Sequence, residues 1–385
     1  MNILIVAPQP YYVERGTPIA VRQLARTLVL HGHELHLLTY PIGDDPRDEG
    51  LTLHRSAPVP FVKKIPIGFS LKKLMLDVPI SFSIFRLYFR YRFDVIHAVE
   101  ESVYPALLLK LVSNVRVIYD MDSSLADQLT NAKRWLRPAR RVLEWFEGLA
   151  IRRSDTVSPV CDELVQIARR HKPAASVFAL YDVPNSGDEN DLADQDVEQL
   201  SVLAPSNSLI GLYIGNLEAY QGIDLLLESI HLIPAEHNIY TIIIGGNDDH
   251  IAHYQIKSRD LGIFDNVCFL GPRPLAHLKN LLTQADMLYS PRVTGGNTPM
   301  KLYSYMAAER PIVATNLSTH TQVLDDQTAV LTNPTPKSYS QGILRLSKEP
   351  ELSKNIARNA RELVFRKYSS KNYEESLKNM YNSLA

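Results

Sequence analysis

Apolar residues along this chain fall into two alternating kinds of run. Short continuous stretches, at Ile3–Ala7, Glu34–Thr39, Leu51–Arg55, Asp94–Ala98, Val115–Asp120 and Thr156–Val160, have the length of buried strands. Between them apolar positions recur every three or four residues at Thr17–Leu30, Leu71–Arg92, Tyr104–Leu111, Trp135–Arg153 and Asp162–His171, the spacing of helices. Strands that are apolar on both faces and separated by helices predict a parallel, doubly wound α/β sheet. From about Pro184 to Ser208 the chain turns polar and acidic (NSGDENDLADQDVEQ), a linker composition. The design then repeats. Strands are expected at Leu209–Gly215, Tyr240–Gly245, Val267–Gly271, Met287–Ser290, Ile312–Thr315 and Ala329–Thr332. Helices are expected at Ile223–Leu232, Ile251–Leu261, Leu275–Ala285, Pro299–Ala308 and Tyr339–Leu346, with two more near Glu351–Lys367 and Lys371–Leu384.

Length supports two domains, because 385 residues exceed one typical core. The expected boundaries are 1–185, a linker at 186–207, 208–368, and a closing helix at 369–385. Cys161 and Cys268 fit no metal or redox spacing, which points to a reducing cytosol. A strand opens the chain directly, without a basic leader, and no apolar run approaches the ~20 residues that cross a bilayer. The net charge of −1 conceals an asymmetry: residues 1–180 carry 24 Lys/Arg against 18 Asp/Glu, and the rest 17 against 24. Much of the basic excess lies in 60–92, with seven cations and one acid among Phe, Ile, Leu and Tyr, and Lys133, Arg134, Arg137, Arg140 and Arg141 extend it. Such a mixture fits a face resting on anionic lipid, and equally a buried helix whose cations snorkel outward.

The most informative stretch is Ser290–Asn316, SPRVTGGNTPMKLYSYMAAERPIVATN. It reads as a strand end, a Gly-Gly-Asn-Thr-Pro loop around Asn297, a helix and a second strand. Thr298 is placed to N-cap the helix and Pro299 to take its first position, leaving the Met300 and Lys301 amides pointing outward. With the Lys301 ammonium, such a helix start is an anion site; an ordinary βαβ crossover accounts for the same residues.

Four other places offer chemistry. Gly16-Thr17-Pro18 follows the first strand, and Tyr213–Asp224 (YIGNLEAYQGID) follows the seventh, carrying Asn216 and Gln221. Gly245-Gly246-Asn247 ends the eighth strand, where a tight left-handed turn is the plain alternative. Asp120-Met121-Asp122 at a strand tip pairs two hard ligands of the kind that hold Mg²⁺ beside a diphosphate, although Asp122 and Ser123 also suit a helix cap. His97 sits near another strand tip, either as a structural histidine or beside Glu100 and Glu101, whose carboxylates can accept from hydroxyl groups.

These landmarks, in this order, resemble the retaining glycosyltransferases of family 4, over essentially the whole chain. The resemblance implies a GT-B fold, two Rossmann-like doubly wound domains facing each other across a cleft, with the last helix returning to the first domain. It implies a donor signature in which one Glu contacts the donor sugar and a second, eight positions on, holds the nucleotide ribose. Here Gly296 and Ser304 occupy those slots. It also implies an Arg and a Lys gripping the diphosphate where Asn216 and Gln221 stand, and glycines near Gly16 and Thr17 approaching phosphate or acceptor. Neutral amides give about half the stabilisation of charge-assisted donors, so Lys301 is the candidate replacement cation. Asp120, Asp122 and His97 become first-domain wall residues facing sugar hydroxyls, with no metal ligand among the candidates.

The expected activity is transfer of a sugar from a UDP- or GDP-linked donor to a glycan or lipid-linked acceptor, in cell-envelope or exopolysaccharide synthesis. The family implies retention of configuration without metal and with no cofactor beyond the nucleotide sugar, in the cytoplasm or at the inner face of the plasma membrane. Nucleic acid is not an expected partner. The rival reading is a catalytically silent GT-B protein that binds a partner or a sugar nucleotide. A nicotinamide dehydrogenase is a distant third reading, since the absence of G-x-G-x-x-G after the first strand argues against it, and glycoside hydrolysis is disfavoured because no spaced acid pair presents itself.

Overall fold

The computed structural model describes every residue except 15, 47, 61, 63–70, 133, 186–196 and 385. Part of the expected linker, Lys133, and Lys63 and Lys64 of the basic segment lie outside the described residues. The chain divides into two units, Met1–Tyr181 with Tyr373–Ala385, and Asp182–Asn372.

In the first unit six parallel strands, β1 (Asn2–Ala7), β2 (Glu34–Thr39), β3 (Leu51–Arg55), β4 (Val95–Val99), β5 (Arg116–Met121) and β6 (Thr156–Pro159), lie in the order β3-β2-β1-β4-β5-β6. Strand alternation divides the core between the two faces of the sheet. Ile3, Ile5 and Ala7 join one cluster with Leu377, Met380 and Tyr381 from near the C-terminus, while Leu4 and Val6 join the other. The helices are α1 (Gly16–Leu30), α2 (Leu71–Tyr91), α3 (Val103–Lys110), α4 (Leu125–Ala132), α5 (Arg140–Arg153) and α6 (Asp162–His171).

The second unit repeats this winding. Strands β7 (Leu209–Ile214), β8 (Ile239–Ile244), β9 (Val267–Gly271), β10 (Met287–Ser290), β11 (Ile312–Thr315) and β12 (Val330–Thr332) run β12-β11-β10-β7-β8-β9, the first sheet's order read from its other edge. Its helices are α7 (Leu200–Leu203), α8 (Ile223–His231), α9 (Asp248–Asp260), α10 (Leu278–Thr283), α11 (Lys301–Ala307), α12 (Ser318–Thr321), α13 (Pro336–Lys348) and α14 (Pro350–Lys367), and α15 (Ser370–Asn382) ends the chain.

Several elements differ from the hydrophobic pattern, the unexpected α12 among them. The helix expected at Trp135–Arg153 begins as a 3₁₀ segment, Arg134–Ala139, that contains Pro138, and becomes α-helical only at Arg140. Helix α4 was not expected; it is two turns long and its start is held by a distant carboxylate. Glu147 accepts from the Leu125 amide at 2.6 Å and from Ser124 Oγ at 3.1 Å. Within the expected linker, Leu200 is buried and opens α7, because its amide is taken up by Gln284 Oε1 at 2.8 Å.

Candidate active site

Where strand order reverses in a doubly wound sheet, the two helices leaving the central strands go to opposite faces and a crevice opens at the strands' C-terminal ends. In the second unit that point lies between β7 and β10. The loop after β7 carries Gly215, Asn216 and Gln221, and the loop after β10 carries Arg292, Asn297 and Thr298 before α11. Tyr305 ties α11 to β7, its hydroxyl accepting from the Ile214 amide at 2.8 Å.

That anchoring brings Lys301 onto the β7 loop. Its Nζ lies 3.9 Å from the centre of the Tyr213 ring and donates to Gln221 Oε1 at 3.2 Å. A Cβ on Gly215, whose φ is +152°, would stand 3.3 Å from that ammonium and 3.0 Å from the Tyr213 hydroxyl, so the glycine leaves room for the cation. Burial, and after it the charge of Arg292, hold the Lys301 pKa well below its ordinary value. Arg292 itself is buried, with Nε on the Thr294 carbonyl at 2.8 Å and Nη1 on the Asn297 carbonyl at 3.2 Å.

The other second-unit candidates have specific local roles. The Asn216 side chain serves its own loop, its Oδ1 accepting from the Glu218 amide at 3.2 Å. Asn297 Oδ1 accepts from Arg292 Nη2 at 3.2 Å. Thr298 does not cap α11 as expected: the helix starts at Lys301, its Ncap is Met300, and Thr298 Oγ1 is buried with no partner among the described residues. Pro299 accordingly precedes the helix, and its carbonyl accepts from the Leu302 amide at 3.0 Å in a 3₁₀-like entry. Ser304 is buried and its Oγ accepts from the Asn185 amide at 3.0 Å, so this hydroxyl fastens the segment that enters the unit. Gly245 and Gly246 have φ of +112° and +83°, and a Cβ on Gly245 would lie 2.1 Å from the Gly215 carbonyl oxygen. Close packing of two loops therefore demands Gly245 whatever the site binds.

In the first unit, an exposed Gly16 and a half-buried Thr17 form the start of α1. His97 is wholly buried on β4. Its Nδ1 is 2.9 Å from the Tyr381 hydroxyl on α15, and its Nε2 is 3.3 Å from Asp120 Oδ2 without hydrogen-bonding geometry. Asp122 follows β5 and is half-buried. Among the described residues no group of three or more His, Cys, Asp or Glu is placed to hold a metal ion. The carboxylates that gather at the β4 end are Glu100 and Glu101. Lys73 reaches Glu101 at 3.0 Å and Glu100 at 3.9 Å, while Ser123 and Gln128 donate to Glu100 at 3.2 and 3.0 Å. Burial, and then neighbouring Glu100, push the Glu101 carboxyl up to about 7.

Two family models divide the chain between them. Residues 15–180 match a glycosyl transferase 4-like domain and residues 194–363 match the glycosyl transferases group 1 model. The chain belongs to this glycosyltransferase family. It is 23% identical over 331 residues to a phosphatidyl-myo-inositol mannosyltransferase of Mycobacterium leprae, covering 85% of this chain and 81% of that protein. Solved structures share the GT-B fold. A sucrose-phosphate synthase from Thermosynechococcus elongatus superposes with a TM-score of 0.80 at 18% identity, over 100% of this chain and 98% of the other. The Anabaena protein HepE, solved with UDP, gives 0.74 at 12% identity, over 100% of both chains.

Two residues of this glycosyltransferase's crevice escaped the sequence reading. Arg292 lies two positions beyond a strand, where an arginine carries no signal until its burial is known. His320, on α12, is fully buried between Ser290 Oγ at 2.8 Å and the Thr315 carbonyl at 2.8 Å. Burial, followed by the charges of Lys301 and Arg292, pushes its pKa down to about 4, so it is neutral at pH 7. Position 320 falls in a four-residue helix with no periodicity to mark it.

Proposed function

We propose that this glycosyltransferase moves a sugar from a nucleotide diphosphate sugar, UDP- or GDP-linked, to a glycan or lipid-linked acceptor, with retention and without metal, in cell-envelope or exopolysaccharide synthesis. One observation carries the donor assignment: the Lys301 ammonium lies at the β7–β10 switch point with an amide oxygen and an aromatic ring as neighbours and no carboxylate partner among the described residues. A cation so placed stabilises the charge that collects on a departing diphosphate as the glycosidic bond breaks. The Thr298, Met300 and Lys301 amides have no internal acceptor among the described residues, so they add donors in the same crevice. In a retaining transfer of this kind the departing phosphate takes the acceptor proton.

The acceptor would meet the first unit near Glu100, Glu101, Asp120 and Asp122, whose carboxylates suit sugar hydroxyls. A lipid-linked acceptor accords with the mannosyltransferase relative, which acts on a phosphatidyl-inositol, and with the surface of α2. Leu74, Val78, Phe82 and Phe89 are exposed along that helix beside Lys72, Arg86 and Arg90, which suits an anionic lipid surface. Lys73 lies outside this face, being engaged by Glu101. Among the described residues no helix is long and apolar enough to cross a membrane.

The test is incubation with UDP- and GDP-sugars and a membrane extract, following release of free nucleotide. Acceptor-dependent release is the expected result. Nucleotide binding without release from any donor would establish the silent alternative, which the neutral Asn216 and Gln221 favour.

A further inference from the structure

A buried cation, Arg292, and a half-buried one, Lys301, share the β10–α11 crevice, and neither has a carboxylate among the described residues. Arg292 is 8% exposed; its three recorded hydrogen bonds go to the Thr294 and Asn297 carbonyls and to Asn297 Oδ1, all neutral. The Tyr220 ring lies 5.2 Å from the guanidinium carbon. The charged and titratable groups facing Lys301 are Arg292, neutral His320 and the Tyr213 ring, with Gln221 as its acceptor. No ion pair involves Arg292 or Lys301 among the described residues. Beside them Thr298 is 5% exposed, and its Oγ1 has no partner among the described residues.

Taking like charges out of water without a counter-charge is costly, and a fold keeps such an arrangement when an anion completes it. We propose that Arg292 and Lys301 together form the seat of the donor's diphosphate, with Arg292 as a second phosphate-binding residue and Thr298 Oγ as a neutral donor. This inference rests on the donor reading given above and assigns which residues perform it. The seat takes the place of the cations absent from positions 216 and 221. Two positive charges match a diphosphate better than a monophosphate, and the two N–H groups that Arg292 does not spend on its own loop are those free for a phosphate oxygen.

The experiment is calorimetric titration of the full chain with UDP, GDP, UMP, GMP and inorganic pyrophosphate, comparing the wild type with Arg292→Gln, Arg292→Lys and Lys301→Met. The wild type should prefer UDP or GDP over the matching monophosphate by about 100-fold, in proportion to a charge-assisted contact of the larger kind, with the preference shrinking as salt rises. Arg292→Gln should cut diphosphate affinity by about 10- to 100-fold while changing monophosphate affinity far less, and Arg292→Lys should recover part of the loss. Because Arg292 also braces the 294–297 loop, an equal loss for diphosphate and monophosphate would make it a loop brace only and overturn the inference. If Arg292→Gln does not fold, a wild-type preference near one overturns it as well. Wild-type binding of UDP that survives unchanged in Arg292→Gln sinks this assignment and leaves the donor reading standing. A wild type that binds no nucleoside diphosphate and no pyrophosphate sinks both.

Discussion

Replacing Lys301 with methionine keeps the length of the side chain and removes its charge, so it separates chemistry from packing. A unit charge about 4 Å from the ammonium, at an effective dielectric of about 20, interacts by about 4 kcal/mol. Part of that attraction already exists in the bound donor, whose diphosphate is charged before the bond breaks. The portion that grows in the transition state is comparable to one oxyanion donor, about 3 kcal/mol, and predicts a kcat lower by about 100-fold. Stability should move the other way. Loss of the hydrogen bond to Gln221 and of the Tyr213 contact costs about 2 kcal/mol, whereas removing a half-buried ammonium that faces Arg292 relieves a penalty of about 3 kcal/mol. A net gain of about 1 kcal/mol corresponds to roughly 2–4 °C in the melting temperature of the ligand-free protein. Steady-state kinetics with a fixed donor, paired with scanning calorimetry, reads both quantities. A methionine variant with wild-type kcat, or one that melts several degrees lower, would refute the assignment of Lys301 as an uncompensated functional cation.

The remaining predictions concern titration, packing, lipid and the partner of Lys301. Between the lowered Lys301 value and 10.5 the unfolded chain keeps a proton that the folded chain has lost, so ligand-free stability rises with pH across that window. UDP affinity falls across the same window because the cation is lost; Lys301→Met should flatten both profiles, and two unaltered profiles would remove Lys301 from the site. His97→Ala removes a buried contact to Tyr381 and should cost about 3 kcal/mol in denaturant unfolding, with faster amide exchange at 373–382; unchanged protection there would contradict the packing described. The double substitution Val78→Asp with Phe82→Asp should abolish flotation on anionic vesicles without altering the melting temperature, since both side chains are exposed, and persistent flotation would discard α2 as the lipid face. Gln221→Lys should lower the melting temperature by setting a second ammonium against Lys301, and adding Lys301→Gln should restore both stability and nucleotide affinity; simple additivity of the two changes would show that the positions do not exchange roles.

The strands were legible because they are buried on both faces, and Ile3–Ala7 or Leu209–Ile214 can hardly be anything else in a chain of this length. Helices that rest on amphipathic spacing were equally plain, α1 and α2 above all. What could not be seen were elements held by remote partners. α4 depends on Glu147, more than twenty residues away, and α7 on Gln284, more than eighty residues away. The site divides along the same line. Lys301 stood out because it follows a Pro in a loop-to-helix step, whereas the value of Arg292 lies wholly in its burial among carbonyls. His97 read ambiguously for the same reason, since only the return of α15 shows that Tyr381 occupies its Nδ1 side. The expected Thr298 cap failed because the chain enters α11 through a 3₁₀-like turn at Pro299, and that choice belongs to the loop fixed by Arg292 and Asn297.

The neutral residues at 221 and 304, where the resemblance implies a lysine and a glutamate, both bear on the charge of Lys301. Position 304 lies three residues after Lys301, one turn along the same short helix, where a glutamate would be within reach of the ammonium. Such a pair would neutralise the cation before any ligand arrived, and Ser304 instead accepts a backbone hydrogen bond from Asn185. A lysine at 221 would face Lys301 across the distance now spanned by an amide oxygen, and the two charges would repel in a buried setting. Neutral residues at 221 and 304 therefore leave the Lys301 charge neither paired nor opposed from those two positions. Lys301 and the buried Arg292, with neutral residues at 221 and 304, leave net positive charge at the switch point of the sheet.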